Sequence, residues 1–180
     1  MFEKNKKYIY IATIAVLLIV IVYQNNRFSD LKTAVGSGYF RDVRSAIFLL
    51  EQDGDVDFWV QTLKQAEGQI TLERHLSEMT LLGRKFMEMD GKILLIGEQL
   101  NLLADQYREL AVNIHNGMSY DHNAEEIIRN SSFLQKVLKE AEAISGENGK
   151  KYYQEFTNTD SETSNLVWKE YKKFVEEAEE

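Results

Sequence analysis

The acidic run Asp53-Gly54-Asp55-Val56-Asp57 has the residue types of a calcium loop, because carboxylates two residues apart can converge on a hard cation. An EF-hand loop counted from Asp53 needs Gly at its sixth position and a bidentate Glu at its twelfth. This chain has Phe58 and Lys64 there. The run therefore reads as a helix–helix turn, with Gly54 ending one helix and Asp57 capping the next. Glycines raise a phosphate-loop reading at Gly36-Ser37-Gly38, at Gly91-Lys92 and at Asn148-Gly149-Lys150. None combines the Gly-Lys-Ser/Thr ending with a preceding buried strand. Gly36-Ser37-Gly38 reads instead as a juxtamembrane hinge or a close helix–helix crossing.

The histidines are His75, His115 and His122. The last two bracket a loop holding Asp121, with Glu125 and Glu126 just beyond, and imidazole with carboxylate is zinc chemistry. No His pair stands at i,i+4 and no Glu-x-x-His spacing preorganises such a site, so no metal ligand is assigned. Ser119 lies near His122 without a G-x-S-x-G elbow. Carboxylate pairs for glycoside cleavage need only spatial proximity, which sequence does not give. No catalytic or cofactor-binding residue is assigned, and no cofactor is expected. The chain is expected not to be an enzyme, with an envelope enzyme using carboxylates ranked last.

The elements that carry these residues begin with Tyr8–Tyr23, sixteen residues without a charge, Gly or Pro. The run is longer than a signal-peptide core of roughly 7–15 residues, and with snorkelling flanks it approaches the ~17–25 of a span. It exits through Val22-Tyr23-Gln24-Asn25-Asn26-Arg27, with no small-residue cleavage site. Tyr8, Tyr10 and Tyr23 stand at its ends, where amphipathic rings favour headgroups, and Leu17 and Leu18 lie within it. A retained transmembrane signal anchor over 8–23 is expected. Lys4, Lys6 and Lys7 precede the run and only Arg27 closely follows it, which places residues 1–7 in the cytoplasm and 24–180 outside.

Beyond Gln24 the chain carries 18 basic and 28 acidic residues, a surface repelled by phosphate backbones and anionic headgroups. Nucleic acid is not an expected partner; the lipid bilayer is one, through the N-terminal helix. With no Cys, neither disulfides nor thiolate metal sites exist. The sequon Asn130-Ser131-Ser132 would matter only on a eukaryotic secretory route.

Zero Pro in 180 residues suits long uninterrupted helices. Ile93, Ile96, Leu100, Leu103, Tyr107, Leu110 and Ile114 are spaced 3-4-3-4-3-4, a heptad seam with Glu98, Gln99, Asp105 and Arg108 on other faces. It closes at His115-Asn116-Gly117. Phe28, Leu31, Val35, Tyr39, Val43, Ile47 and Leu50 make a stripe continuing out of the anchor. A helix over about 58–89 carries Trp59, Leu63, Ile70, Leu72, Leu76, Met79, Leu82 and Phe86, with Gly68 and Gly83 as points of bending or splitting. Another starts at Asn123 with Glu126 as a capping-box partner. Asn148-Gly149 reads as a turn, and Thr159 with Glu162 as the cap of a last helix over about 160–178.

The expectation is all-α: an N-terminal transmembrane helix, then an antiparallel, up-and-down helical-bundle ectodomain with its main bundle over 26–146. Its function is expected to be that of a single-pass, non-enzymatic interaction or assembly module outside the cytoplasm, binding another protein or itself. The 93–114 seam serves as core or as the contact for a second chain. The alternative is a sensor-like ectodomain holding a small ligand between helices. Seven cytoplasmic residues supply no output, so that reading needs a partner subunit.

Overall fold

The computed structural model describes the backbone of residues 2–53, 56–89 and 91–179, and the side chains of 13–51, 56–89 and 91–177. Among the described residues the chain is all-α, with seven α-helices and no strand. They are α1 Phe2–Asp53, α2 Val56–Leu63, α3 Gly68–Met87, α4 Leu94–His115, α5 Asp121–Ser145, α6 Gly149–Thr157 and α7 Glu162–Glu179. A 3-10 turn, Gly91–Ile93, leads into α4. Gly54 and Asp55 of the acidic run lie outside the described residues.

α1 is one helix of 52 residues, about 78 Å long at 1.5 Å per residue. Only its C-terminal part enters the bundle. Cross-helix pairs give the directions. Arg44 meets Glu142 at 2.7 Å while Glu51 meets Lys139 at 2.8 Å, so α1 and α5 run antiparallel. Gln99 and Asn113 of α4 pair with Asn130 and Asn123 of α5, and Lys136 and Arg129 of α5 meet Glu170 and Phe174 of α7, each again antiparallel. The core is filled by Val43, Leu50, Leu72, Leu76, Phe86 and Leu134, together with the α4 seam.

Several boundaries differ from those the spacing predicts. The 58–89 segment is two helices: residues 64–67 leave helical geometry, and Gly68 opens α3 tight against the Thr62 carbonyl. Of the two glycines named as points of bending or splitting, Gly68 stands at the break and Gly83 lies within α3. α5 begins at Asp121, and Asn123 turns inward to Asn113 instead of capping. Asn148 accepts from the Lys151 N–H and caps α6, a helix where a turn is predicted. For α7 the cap is Ser161, whose Oγ accepts the Ser164 N–H at 3.1 Å, seconded by Glu155 accepting the Thr163 N–H at 2.9 Å.

Two glycine crossings bring helices closer than side chains allow. A Cβ on Gly36 would collide with the Gly149 carbonyl, and one on Gly149 with Ser37 Oγ and the Thr33 carbonyl. Gly83 and Gly97 meet in the same way between α3 and α4. Of the two readings for Gly36-Ser37-Gly38, the helix crossing is the one seen at Gly36. Gly38 has open space at its Cβ. Gly36→Ala should therefore destabilise the chain by about 3 kcal/mol, the upper end of overpacking costs, because backbone must move. Gly38→Ala should stabilise it by up to about 1 kcal/mol through helix propensity. Chemical denaturation of the full chain measures both, and equal effects would refute the crossing.

Candidate interaction surfaces

The 3-4 seam is consumed within one chain. Ile93, Ile96, Leu100, Leu103, Tyr107 and Leu110 are fully buried, and Ile114 packs against the same core while partly exposed. A second chain reaches them only by opening the bundle. The intermolecular use of this seam gives way to core packing, because α4 is covered by both α3 and α5.

Beside the seam runs a set of buried amides, of which the spacing argument puts Gln99 on an outer face. Gln99 and Gln106 are buried, and with Asn113 they recur every seven residues along α4. Asn130 and Asn123, seven apart on α5, face them. The Asn130 amide donates to the Gln99 carbonyl at 3.3 Å and to Gln106 Oε1 at 3.4 Å, and Asn113 donates to Asn123 Oδ1 at 2.5 Å. Buried amides of this kind specify register, since a slip strands them without partners. The signal was the amide heptad itself. Burial of Asn130 also closes the sequon to modification in the folded chain.

The candidate chemical groups do not converge. Among the described residues no three His, Cys, Asp or Glu side chains approach as metal ligands would. His122 lies 3.8 Å from Glu126 on an exposed turn, and Ser119 donates to Asp121 rather than to a histidine. His75 is packed in the core against Trp59 and Tyr107, with ring centroids 4.7 and 6.4 Å away. Of the C-terminal aromatics, Tyr152 and Phe156 are fully buried beneath α1, while Tyr171 and Phe174 pack on Phe133. Burial raises the Tyr152 hydroxyl pKa, with the nearby Glu142 charge adding to it. Trp168 stays substantially exposed.

Among the described residues two open surfaces stand out. One is a trough between α3 and α4, made of adjoining clefts of about 440 and 600 Å³ that share Arg108 and include Arg84, Asp105, Val112 and His115. The other is the N-terminal part of α1. From Ile14 to Tyr23 its large apolar side chains, Leu17 and Leu18 included, are between 43% and 68% exposed, with no bundle element over them. Among the described residues no helix is long and apolar enough to cross a membrane. Tyr8 and Tyr10, with the rest of the run's first five residues to Ala12, have side chains outside the described set. After Tyr23, residues 24–34 form a helical stalk that is exposed except at Ser29.

Comparison with protein-family models, with curated proteins and with solved structures finds no match to this chain. The functional reading therefore rests on its own surfaces.

α7 closes the bundle through Lys136–Glu170, 2.6 Å apart. The Lys136 hydrogen bond and charge hold the Glu170 carboxyl below its ordinary value, and Glu170 in turn raises the Lys136 pKa. The carboxylate's contribution is full above its unfolded pKa and is lost as pH falls through the lowered folded value. The lysine's contribution is full below its unfolded pKa and is lost as pH rises through the raised one. Hydrogen exchange should show α7 loosening from α5 in acid, and Glu170→Gln should remove that pH dependence. The seam makes a second prediction. Leu100→Asp with Leu103→Asp should unfold the domain, at several kcal/mol for buried unpaired charge. A folded monomer by sedimentation and circular dichroism would return the seam to an interface.

Proposed function

We propose that this chain is a membrane-anchored, non-enzymatic interaction module whose helical bundle stands outside the cytoplasm on a short stalk. The single observation carrying this reading is the uncovered apolar surface of α1. A continuous row of exposed Ile, Leu and Val in water is costly, at roughly 25 cal/mol per Å² of apolar area, and bilayer insertion removes it. The flanking lysines and tyrosines support the same reading, as does the direction they imply, with residues 1–7 cytoplasmic. A stalk of eleven residues would hold the bundle about 16 Å above the headgroups. The bundle's acidic balance would keep it from lying on anionic lipid.

A second reading, small-ligand binding between helices, has the α3–α4 trough on its side. It ranks lower because the trough is open to solvent and Arg108 is already paired with Asp105 at 2.6 Å.

Full-length chain should stay with membranes through alkaline carbonate washing, while a variant lacking residues 1–23 should not. External protease on intact cells or spheroplasts should digest residues 24–180. Protection of that region would reverse the orientation, and a mature chain beginning near Asn25 would make the anchor a cleaved signal.

A further inference from the structure

We propose that the face of α1 made by Gln24, Phe28 and Leu31, with the half-buried Val35 at its end, docks one parallel helix of a different chain in the same membrane. That helix carries apolar residues at matching 4-3-4 spacing and carboxylates on its flanks. The proposal rests on the membrane-anchored reading above.

Phe28 is 63% exposed and Leu31 59%. They follow one another at the spacing of a coiled-coil seam, and the face extends that spacing back to Gln24 and forward to Val35. α6 does not cover it, because α6 crosses α1 at Thr33, Gly36 and Ser37, on another side of the helix. With Phe28 and Leu31 as positions a and d, Arg27 occupies g and Lys32 occupies e, so both edges of the face are basic. Each cation is steadied by an aromatic ring away from the face. Arg27 bonds the Tyr23 hydroxyl at 3.2 Å and lies 5.7 Å from that ring, and Lys32 lies 5.6 Å from the Tyr153 ring.

These edges decide the occupant. Two copies anchored in one membrane would pair in parallel, and the g residue of one then faces the e residue of the other. That sets Arg27 against Lys32 on both sides of the pair. A helix with Glu or Asp at those edges turns both repulsions into attractions. Shared orientation in the membrane supplies the effective concentration that so short a contact needs.

The test uses the full chain in nanodiscs of zwitterionic lipid. The sequence has no Cys, so Asp30→Cys, on the side of the helix away from the face, gives one dye site. Retention of the chain by the discs is scored first. A chain that does not stay with them overturns the anchor reading and the docking together, whereas retained chain without docking overturns the docking alone.

The probes are synthetic single-span helices with Leu at the matching positions and either Glu or Lys at the edges, read by energy transfer. The Glu-edged helix should associate about tenfold more strongly than the Lys-edged one, from two pairs that each change sign. Salt should erode the difference. Phe28→Ser with Leu31→Ser should abolish association while leaving the bundle's melting transition in place. Arg27→Glu, which creates opposite g–e charges between copies, should make the chain pair with itself. Equal binding of the two probes would sink the proposal. So would transfer between wild-type copies as strong as to the Glu-edged helix. A dye response to anionic lipid alone, with nothing added by the Glu-edged helix, would assign the face to lipid and overturn it as well.

Discussion

One helix, α1, carries both an uncovered apolar surface and a stripe of the bundle core, and the rest of the molecule is arranged along it. α1 is continuous from Phe2 to Asp53, so the rotation and height of its uncovered apolar part are tied rigidly to the stripe Val43, Ile47 and Leu50 in the core. A proline or a loop anywhere between would uncouple the two, and the sequence has no proline at all. Near the transition, Thr33 Oγ1 bonds the Ser29 carbonyl at 2.9 Å and Ser37 Oγ bonds the Thr33 carbonyl at 2.8 Å. Side chains that bond back in this way bend helices slightly without breaking them. The Gly36–Gly149 crossing then clamps α6 onto the rod where the stalk ends. Beyond that clamp α1 is a bundle helix; before it, α1 is alone.

Within the bundle, α4 plays the equivalent part. It is packed by α3 on one side, through Gly83 and Gly97, and by α5 on another, through Asn130 with Gln106 and the Gln99 backbone carbonyl, and through Asn113 with Asn123. An apolar seam alone tolerates sliding by a heptad. The Asn113 and Asn130 amides do not, because sliding takes them from Asn123, Gln106 and the Gln99 backbone carbonyl in a low-dielectric interior. Stability comes from the seam and specificity of register from the ladder beside it. The salt bridges at the rim are too exposed to carry either role.

The parts legible from sequence were those where spacing alone determines burial. The 3-4 repeat from Ile93 to Leu110 names core residues correctly, because any helix in a bundle buries its apolar stripe. Gln99 was misplaced because a stripe argument assumes one covered face, and α4 has two. The break at 64–67 was half visible in Gly68, but Gly83 looked the same in sequence and lies within α3; what separates them is tertiary, Gly68 meeting the Thr62 carbonyl and Gly83 meeting Asn101 and Gly97. α6 was hidden because Asn148-Gly149 suits a turn and a helix N-cap equally, and only the docking of Tyr152 and Phe156 under α1 selects the cap. The open stalk face was concealed for a different reason. Phe28, Leu31 and Val35 belong by spacing to the stripe that becomes core at Val43, and nothing local marks where cover begins.

That continuity leads to a constraint on any partner of the stalk. The bundle carries an acidic excess, so on the proposed reading a helix bearing carboxylates would be repelled by it on balance and attracted at Arg27 and Lys32. Screening confines both effects to about 8 Å at physiological salt. On the proposed reading, a slender helix at the height of the stalk would feel the two cations more than the bundle. A globular acidic partner cannot approach the same face without meeting the domain's own carboxylates. On that reading the stalk would select by shape through the charge of the bundle, and the exposed Phe28 and Leu31 would supply the apolar surface that rewards a fit.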